Sequence, residues 1–108
     1  MTDRELLEKA AKAAGYTEFD WLSSENIMNV YDDEGYQYTF NPLKDDGDAL
    51  RLAVELKMNI ERDFDRVQVY WHSGSAVEYL YDKPVPTDPY AETRRAIVRA
   101  AAEIGEQK

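Results

Sequence analysis

Ile27-Met-Asn-Val-Tyr-Asp-Asp-Glu-Gly-Tyr-Gln-Tyr-Thr-Phe40 runs straight into Asn41-Pro-Leu-Lys-Asp-Asp-Gly-Asp-Ala-Leu-Arg-Leu-Ala-Val-Glu-Leu56, and the change of rhythm between the two decides the fold. Ile27, Met28, Val30 and Tyr31 lead into Asp32-Asp33-Glu34-Gly35, after which Tyr36, Tyr38 and Phe40 alternate with Gln37 and Thr39. A period of two on both sides of a turn predicts a β-hairpin, with Gly35 where the chain needs a positive φ. Pro42 cannot donate to a strand ladder and biases Asn41 away from helix, so the second strand ends there. Asp45 then reads as the N-cap of a helix with Asp46 and Asp48 in its first turn, where free amides and the helix dipole favour acids. Leu50, Ala53, Val54 and Leu56 give its expected buried stripe.

Outward from this core, the N-terminus carries Thr2-x-x-Glu5, a capping box that ties up free amides at a helix start. Leu6, Leu7, Ala10, Ala11 and Ala14 follow at helical spacing, and Gly15 supplies the stop. Between Tyr16 and Leu22, Phe19 and Trp21 alternate with Glu18, Asp20 and Leu22, consistent with a short strand. Beyond the second helix, Met58 and Ile60 alternate with Asn59 and Glu61, which starts another strand. Val67, Val69 and Trp71 alternate with Gln68, Tyr70 and His72; Ser73-Gly74-Ser75 turns the chain, and Val77, Tyr79 and Tyr81 alternate on the return. This is a second hairpin, expected to present one apolar face. Lys83-Pro-Val-Pro-Thr87 is a proline-stiffened connector, and Asp88-Pro89 opens a last helix as N-cap and N1 residue. Ile97, Ala100, Ala101 and Ile104 form its stripe, Gly105 reads as its stop, and Glu106-Gln107-Lys108 as a frayed tail.

Hairpins imply antiparallel pairing, so the expected class is α+β. The elements predict one mainly antiparallel sheet of about five strands, built from two hairpins plus one strand, with three helices packed on it. A chain of 108 residues is the size of a single domain, here 1–108. Apolar residues make up 44% and charged residues 32%, a globular composition. No apolar run approaches the roughly 20 residues of a membrane span. Acids at Asp3 and Glu5 replace the basic opening of a signal peptide, and there is no cysteine. These features together predict a cytosolic protein with no exported form.

The formal net charge is −9, and residues 18–65 hold 13 acids and 4 bases, so the whole excess lies in the middle of the chain. Such a field opposes nucleic-acid binding, which needs clustered Lys and Arg. It favours a basic partner and speeds encounter with one.

The motifs that would carry chemistry each have a plainer explanation. Asp45, Asp46 and Asp48 are already used in capping, and they lack the 12-residue spacing of a calcium loop. His72 is the only histidine, and its neighbours Ser73 and Ser75 diverge from it on a hairpin. There is no Gly-x-Ser-x-Gly elbow and no glycine-rich phosphate loop. A non-enzymatic protein without metal or cofactor is therefore expected. Arg94, Arg95 and Arg99 give the last helix a basic side; Arg95 and Arg99 read as its solvated flank, with Arg99 one turn before Glu103. The eight tyrosines are more suggestive. Tyr70 and Leu80 are expected on the sheet face opposite Val69 and Tyr79, and an uncovered face of that kind suits protein contact. With the acidic loops beside it, the candidate interface is Asp32, Asp33, Glu34, Asp63, Asp65, Tyr70, His72 and Leu80.

Residues 41–56 and Asp88-Pro-Tyr-Ala-Glu-Thr-Arg-Arg-Ala-Ile-Val-Arg-Ala-Ala-Ala-Glu-Ile-Gly105 resemble an uncharacterised family of small proteins from tailed bacteriophages and prophages. The likeness extends to the opening segment 2–15 and covers roughly half the chain. The resemblance implies a phage origin, a bacterial cytoplasm, and a common helical frame displaying changeable segments at 16–40 and 61–87. It brings no activity, cofactor or catalytic residue. The leading expectation is an accessory protein that binds a host or phage protein through its hairpin side. One version is an inhibitor of a basic defence or nucleic-acid-handling protein. The contrasting expectations are a carboxylate-based hydrolase or nucleotide-binding protein, and a homodimer or larger homo-oligomer pairing through its sheet face.

Overall fold

The computed structural model describes residues 2–23, 25, 27–62, 66–72, 74–79 and 88–107. Among them the chain runs α1 (Asp3–Ala13), β1 (Glu18–Leu22), β2 (Ile27–Tyr31), β3 (Gln37–Phe40), α2 (Asp46–Glu55), β4 (Asn59–Arg62), β5 (Arg66–Trp71), β6 (Gly74–Tyr79) and α3 (Pro89–Glu106). The class is α+β, as the alternating periods predict.

The strands do not form one sheet of five. They form two antiparallel three-stranded sheets, β1-β2-β3 and β4-β5-β6. The segment at 18–22 extends the first hairpin, with Trp21 opposite Met28 and Met28 opposite Phe40. β4 extends the second, with Ile60 opposite Val69. β3 and β4, the edge strands that follow one another in sequence, do not pair with each other. Both are short, and seven of their eight residues are exposed, so neither offers a buried face on which the ladder could continue.

The second hairpin also differs from its sequence reading. Trp71 pairs with Gly74, leaving two residues between the strands where a three-residue turn at 73–75 was expected. The shorter connection shifts the register so that Val69 stands opposite Ala76 and Arg66 opposite Tyr79. Tyr79 therefore has the register parity of Tyr70, not of Val69 as expected. The Lys83–Thr87 connector and Tyr81 lie outside the described residues.

A single core draws on all three helices and both sheets: Leu6, Leu7, Ala10 and Ala11 from α1, Met28, Val30 and Phe40 from the first sheet, Leu52 and Ala53 from α2, Val67, Val69 and Trp71 from the second sheet, and Ile97, Val98 and Ala101 from α3. α3 is the central element, packing on α1, α2, β5 and β6. Asp3 meets Arg95 at 3.3 Å and Lys9 pairs with Glu106, so α1 and α3 run in the same direction. Both helices bring fully buried alanines to the core, among them Ala10 and Ala11 of α1 and Ala101 of α3, and the two share a long seam. Small side chains let the helix backbones approach, and Gly105 belongs to the same seam. It lies inside α3 and is buried, so it is a packing residue rather than the expected stop. The helix continues to Glu106 with Gln107 as its cap, and that pairing with Lys9 holds most of the expected frayed tail.

Helix starts follow the predicted chemistry. The Thr2 hydroxyl accepts from the Glu5 amide at 3.2 Å, the Asp45 carboxylate from the Asp48 amide at 2.8 Å, and the Asp88 carboxylate from the Tyr90 amide at 3.0 Å. The ends of α1 and α2 share one device. Tyr16 N–H donates to Ala11 and Gly15 N–H to Lys12, while Met58 N–H donates to Ala53 and Lys57 N–H to Val54. Both are Schellman closures, with Gly15 at φ 98° and Lys57 at φ 56° in the left-handed position.

Candidate interaction surfaces

The turn between β2 and β3 is organised by Asp32. One oxygen of its carboxylate accepts from the Glu34 and Tyr36 amides, both at 2.9 Å, and the other from the Tyr38 hydroxyl at 3.2 Å. These bonds, together with Gly35 at φ 87°, fix the tip and turn Asp33 and Glu34 outward, where both are exposed. Tyr36 and Tyr38 are 62% and 49% exposed. Tyr38 stands opposite Val30 and has the parity of buried Phe40, yet it lies on an edge strand whose first three residues are exposed. Alternation alone does not distinguish these two tyrosines from buried Phe40; the edge position of β3 leaves both in solvent.

Carboxylates gather along this side of the molecule. The Tyr31 hydroxyl donates to Asp20 at 2.7 Å, and Tyr16 lies edge-on to Phe40 with ring centroids 6.1 Å apart. A cleft of about 100 Å³ beside Tyr16 is bordered by Asp48, Arg51 and Glu55. Burial pushes the Tyr16 phenol above its usual pKa of 10.0, and the fields of Glu55, Asp32 and Asp48 add to the shift against the opposing Arg51. The Tyr31 and Tyr38 phenols are also raised, chiefly by their hydrogen bonds to Asp20 and Asp32. Neighbouring carboxylates add to the shift of all three phenols, after burial at Tyr16 and the hydrogen bonds at Tyr31 and Tyr38.

A second concavity, of about 350 Å³, lies between α2, β4 and the start of α3. Ala49, Leu50, Ile60, Tyr90 and Ile97 supply most of its apolar lining. Here the reading of α2 is corrected: Leu50 and Val54 are 61% and 68% exposed, and the buried stripe is Ala49, Leu52 and Ala53. Apolar residues occupy so wide an arc of this helix that their spacing does not choose the inner side. α3 packs on this helix, whose buried side is Ala49, Leu52 and Ala53, while Leu50 and Val54 stay open.

Arg94 joins the two sides of this groove, a role that the sequence reading did not give it. Its side chain is only 16% exposed; it donates to the Leu43 carbonyl at 2.9 Å and to the Asp46 carboxylate at 2.6 Å. A run of Arg-Arg carries no sign of which member turns inward.

The predicted interface residues that are described fall on two sheets. Asp32, Asp33 and Glu34 are on the first sheet, whereas Tyr70, half-buried in β5, and exposed His72 belong to the second. Asp63, Asp65 and Leu80 lie outside the described residues. The Asp45, Asp46 and Asp48 carboxylates are spent separately, on the helix cap, on Arg94, and on the Asn41 amide with Arg51. Among the described residues no group of three or more His, Asp or Glu is placed to hold a metal ion, and no helix is long and apolar enough to cross a membrane. Comparison of the chain with protein-family models, curated proteins and solved structures gave no match.

Proposed function

We propose that this chain is a bacteriophage accessory protein that acts in the host cytoplasm by binding a basic host or phage protein through the β2–β3 end of its first sheet. The observation that carries this reading is the exposure of Tyr36 and Tyr38 on a rigid turn whose outward carboxylates are Asp33 and Glu34. Tyrosine covers contact area at low conformational cost and is enriched in interface cores, while a ring of acids selects basic surfaces and accelerates encounter. The concentration of the −9 charge between residues 18 and 65 extends the same field beyond the turn. The phage setting rests on the resemblance of segments 2–15, 41–56 and 88–105, and the inhibitor version rests on charge. Of the earlier candidates, Asp32 acts by shaping the turn, and Asp33 and Glu34 make the contact.

Affinity capture from nuclease-treated bacterial lysate, with wild type beside an Asp33→Asn/Glu34→Gln/Tyr36→Ser variant, tests the reading. The expected result is a basic protein retained by wild type at low salt, released at moderate salt, and absent from the variant. Retention of the same proteins by both chains overturns it.

A further inference from the structure

The groove between α2, β4 and α3 plays no part in that contact, and its chemistry is different. Its walls are apolar at Leu50, Ile60, Tyr90 and Ile97, and its volume of about 350 Å³ is in the range of small-ligand pockets, roughly 300–1,000 Å³. Three lining groups are polar and already satisfied: Asp46 and Arg94 neutralise each other, and the Thr93 hydroxyl donates to the Pro89 carbonyl at 2.8 Å. The remaining charge in the lining is Arg62, at the end of β4, whose side chain makes no ion pair or hydrogen bond among the described residues.

An apolar cleft with one unspent cation fits a ligand with an apolar body and a single anionic end. The guanidinium forms two parallel hydrogen bonds with a carboxylate, the geometry it matches best. A polyanion such as a nucleotide is disfavoured, because one cation faces it and the rest of a −9 protein repels it. We infer that this groove is a binding site for a medium-chain monocarboxylate, with the chain against Leu50, Ile60 and Ile97 and the carboxylate on Arg62.

The full chain is titrated with decanoate below its micelle concentration, and the methyl resonances of Ile60 and Ile97 are followed by NMR. The expected result is saturable one-to-one binding that shifts both. Shortening decanoate to octanoate weakens it about threefold to fourfold for each methylene removed from the apolar wall. Arg62→Gln, at an exposed position, leaves the fold intact and weakens decanoate about tenfold, while neutral decanol binds both chains alike. Absence of saturable shifts, shifts that avoid Ile60 and Ile97, or equal decanoate affinity in wild type and Arg62→Gln each overturns the inference. The hairpin reading is unaffected by any of these outcomes.

Discussion

A Cβ placed on Gly105 would lie 2.1 Å from the carbonyl oxygen of Lys9, so α1 and α3 approach closely enough at this point that only glycine fits. The obstacle is backbone, which cannot rotate aside as a side chain can. Gly105→Ala is therefore expected to push the helices apart and cost about 1–3 kcal/mol or more, despite alanine's better helix propensity. Gly47→Ala is the matched control. Its nearest neighbours are the ends of the Asp45 and Arg51 side chains at 3.2–3.4 Å, so it should be neutral or stabilise by up to about 1 kcal/mol. Denaturant midpoints of the two variants check the pair.

Lys57 occupies the left-handed position that glycine fills at the end of α1. A non-glycine residue there costs roughly 1–2 kcal/mol, partly recovered from glycine's greater freedom when unfolded. Lys57→Gly is expected to stabilise by about 0.5–1 kcal/mol, and Gly15→Lys to destabilise by a similar amount. Thermal unfolding distinguishes the two signs.

Arg94 ties the turn before α2 to α3. Arg94→Met keeps the stem but leaves the Leu43 carbonyl without its side-chain donor, and should cost about 1–2 kcal/mol. Asp46→Asn removes only the solvent-facing partner, whose side chain is 69% exposed, and should cost less than about 0.5 kcal/mol. Equal losses would mean that the ion pair, not the carbonyl bond, holds the turn.

Tyr16, Tyr31 and Tyr38 have phenols raised above 10.0, so the folded state favours their neutral forms. Their contribution to stability is present in full below the unfolded tyrosine pKa, about 10, and is lost as pH rises through the folded values. Ultraviolet titration should show tyrosines ionising later in the folded protein than in denaturant. Tyr16→Phe should flatten the alkaline fall in stability, and an unchanged fall would contradict the acidic surroundings assigned to Tyr16.

Local chemistry carried most of the legible structure. Thr2 with Glu5, Asp45, and Asp88 with Pro89 announce helix starts because a cap is satisfied by residues within one turn. Asp32 to Gly35 announces the first hairpin for the same reason. What escaped depends on partners distant in sequence. The buried side of α2 goes with its packing on α3, the role of Gly105 with Lys9, and the inward turn of Arg94 with Leu43 and Asp46. The second hairpin was misread by one residue of turn length, and a slip of one exchanges the faces of a whole strand. For the contact surface, Asp33 and Glu34 were readable as exposed turn acids, but the exposure of Tyr36 and Tyr38 depends on what leaves β3 uncovered.

The dissociation constant between this protein and its captured partner, measured at low and moderate ionic strength, is the decisive quantity. Binding through the β2–β3 turn predicts an affinity that falls at least about tenfold as salt screens the acids. The Asp33→Asn/Glu34→Gln/Tyr36→Ser chain should bind more weakly at low salt and respond less to added salt. A constant that salt leaves unchanged, or that is the same for both chains, would contradict the assignment of this surface.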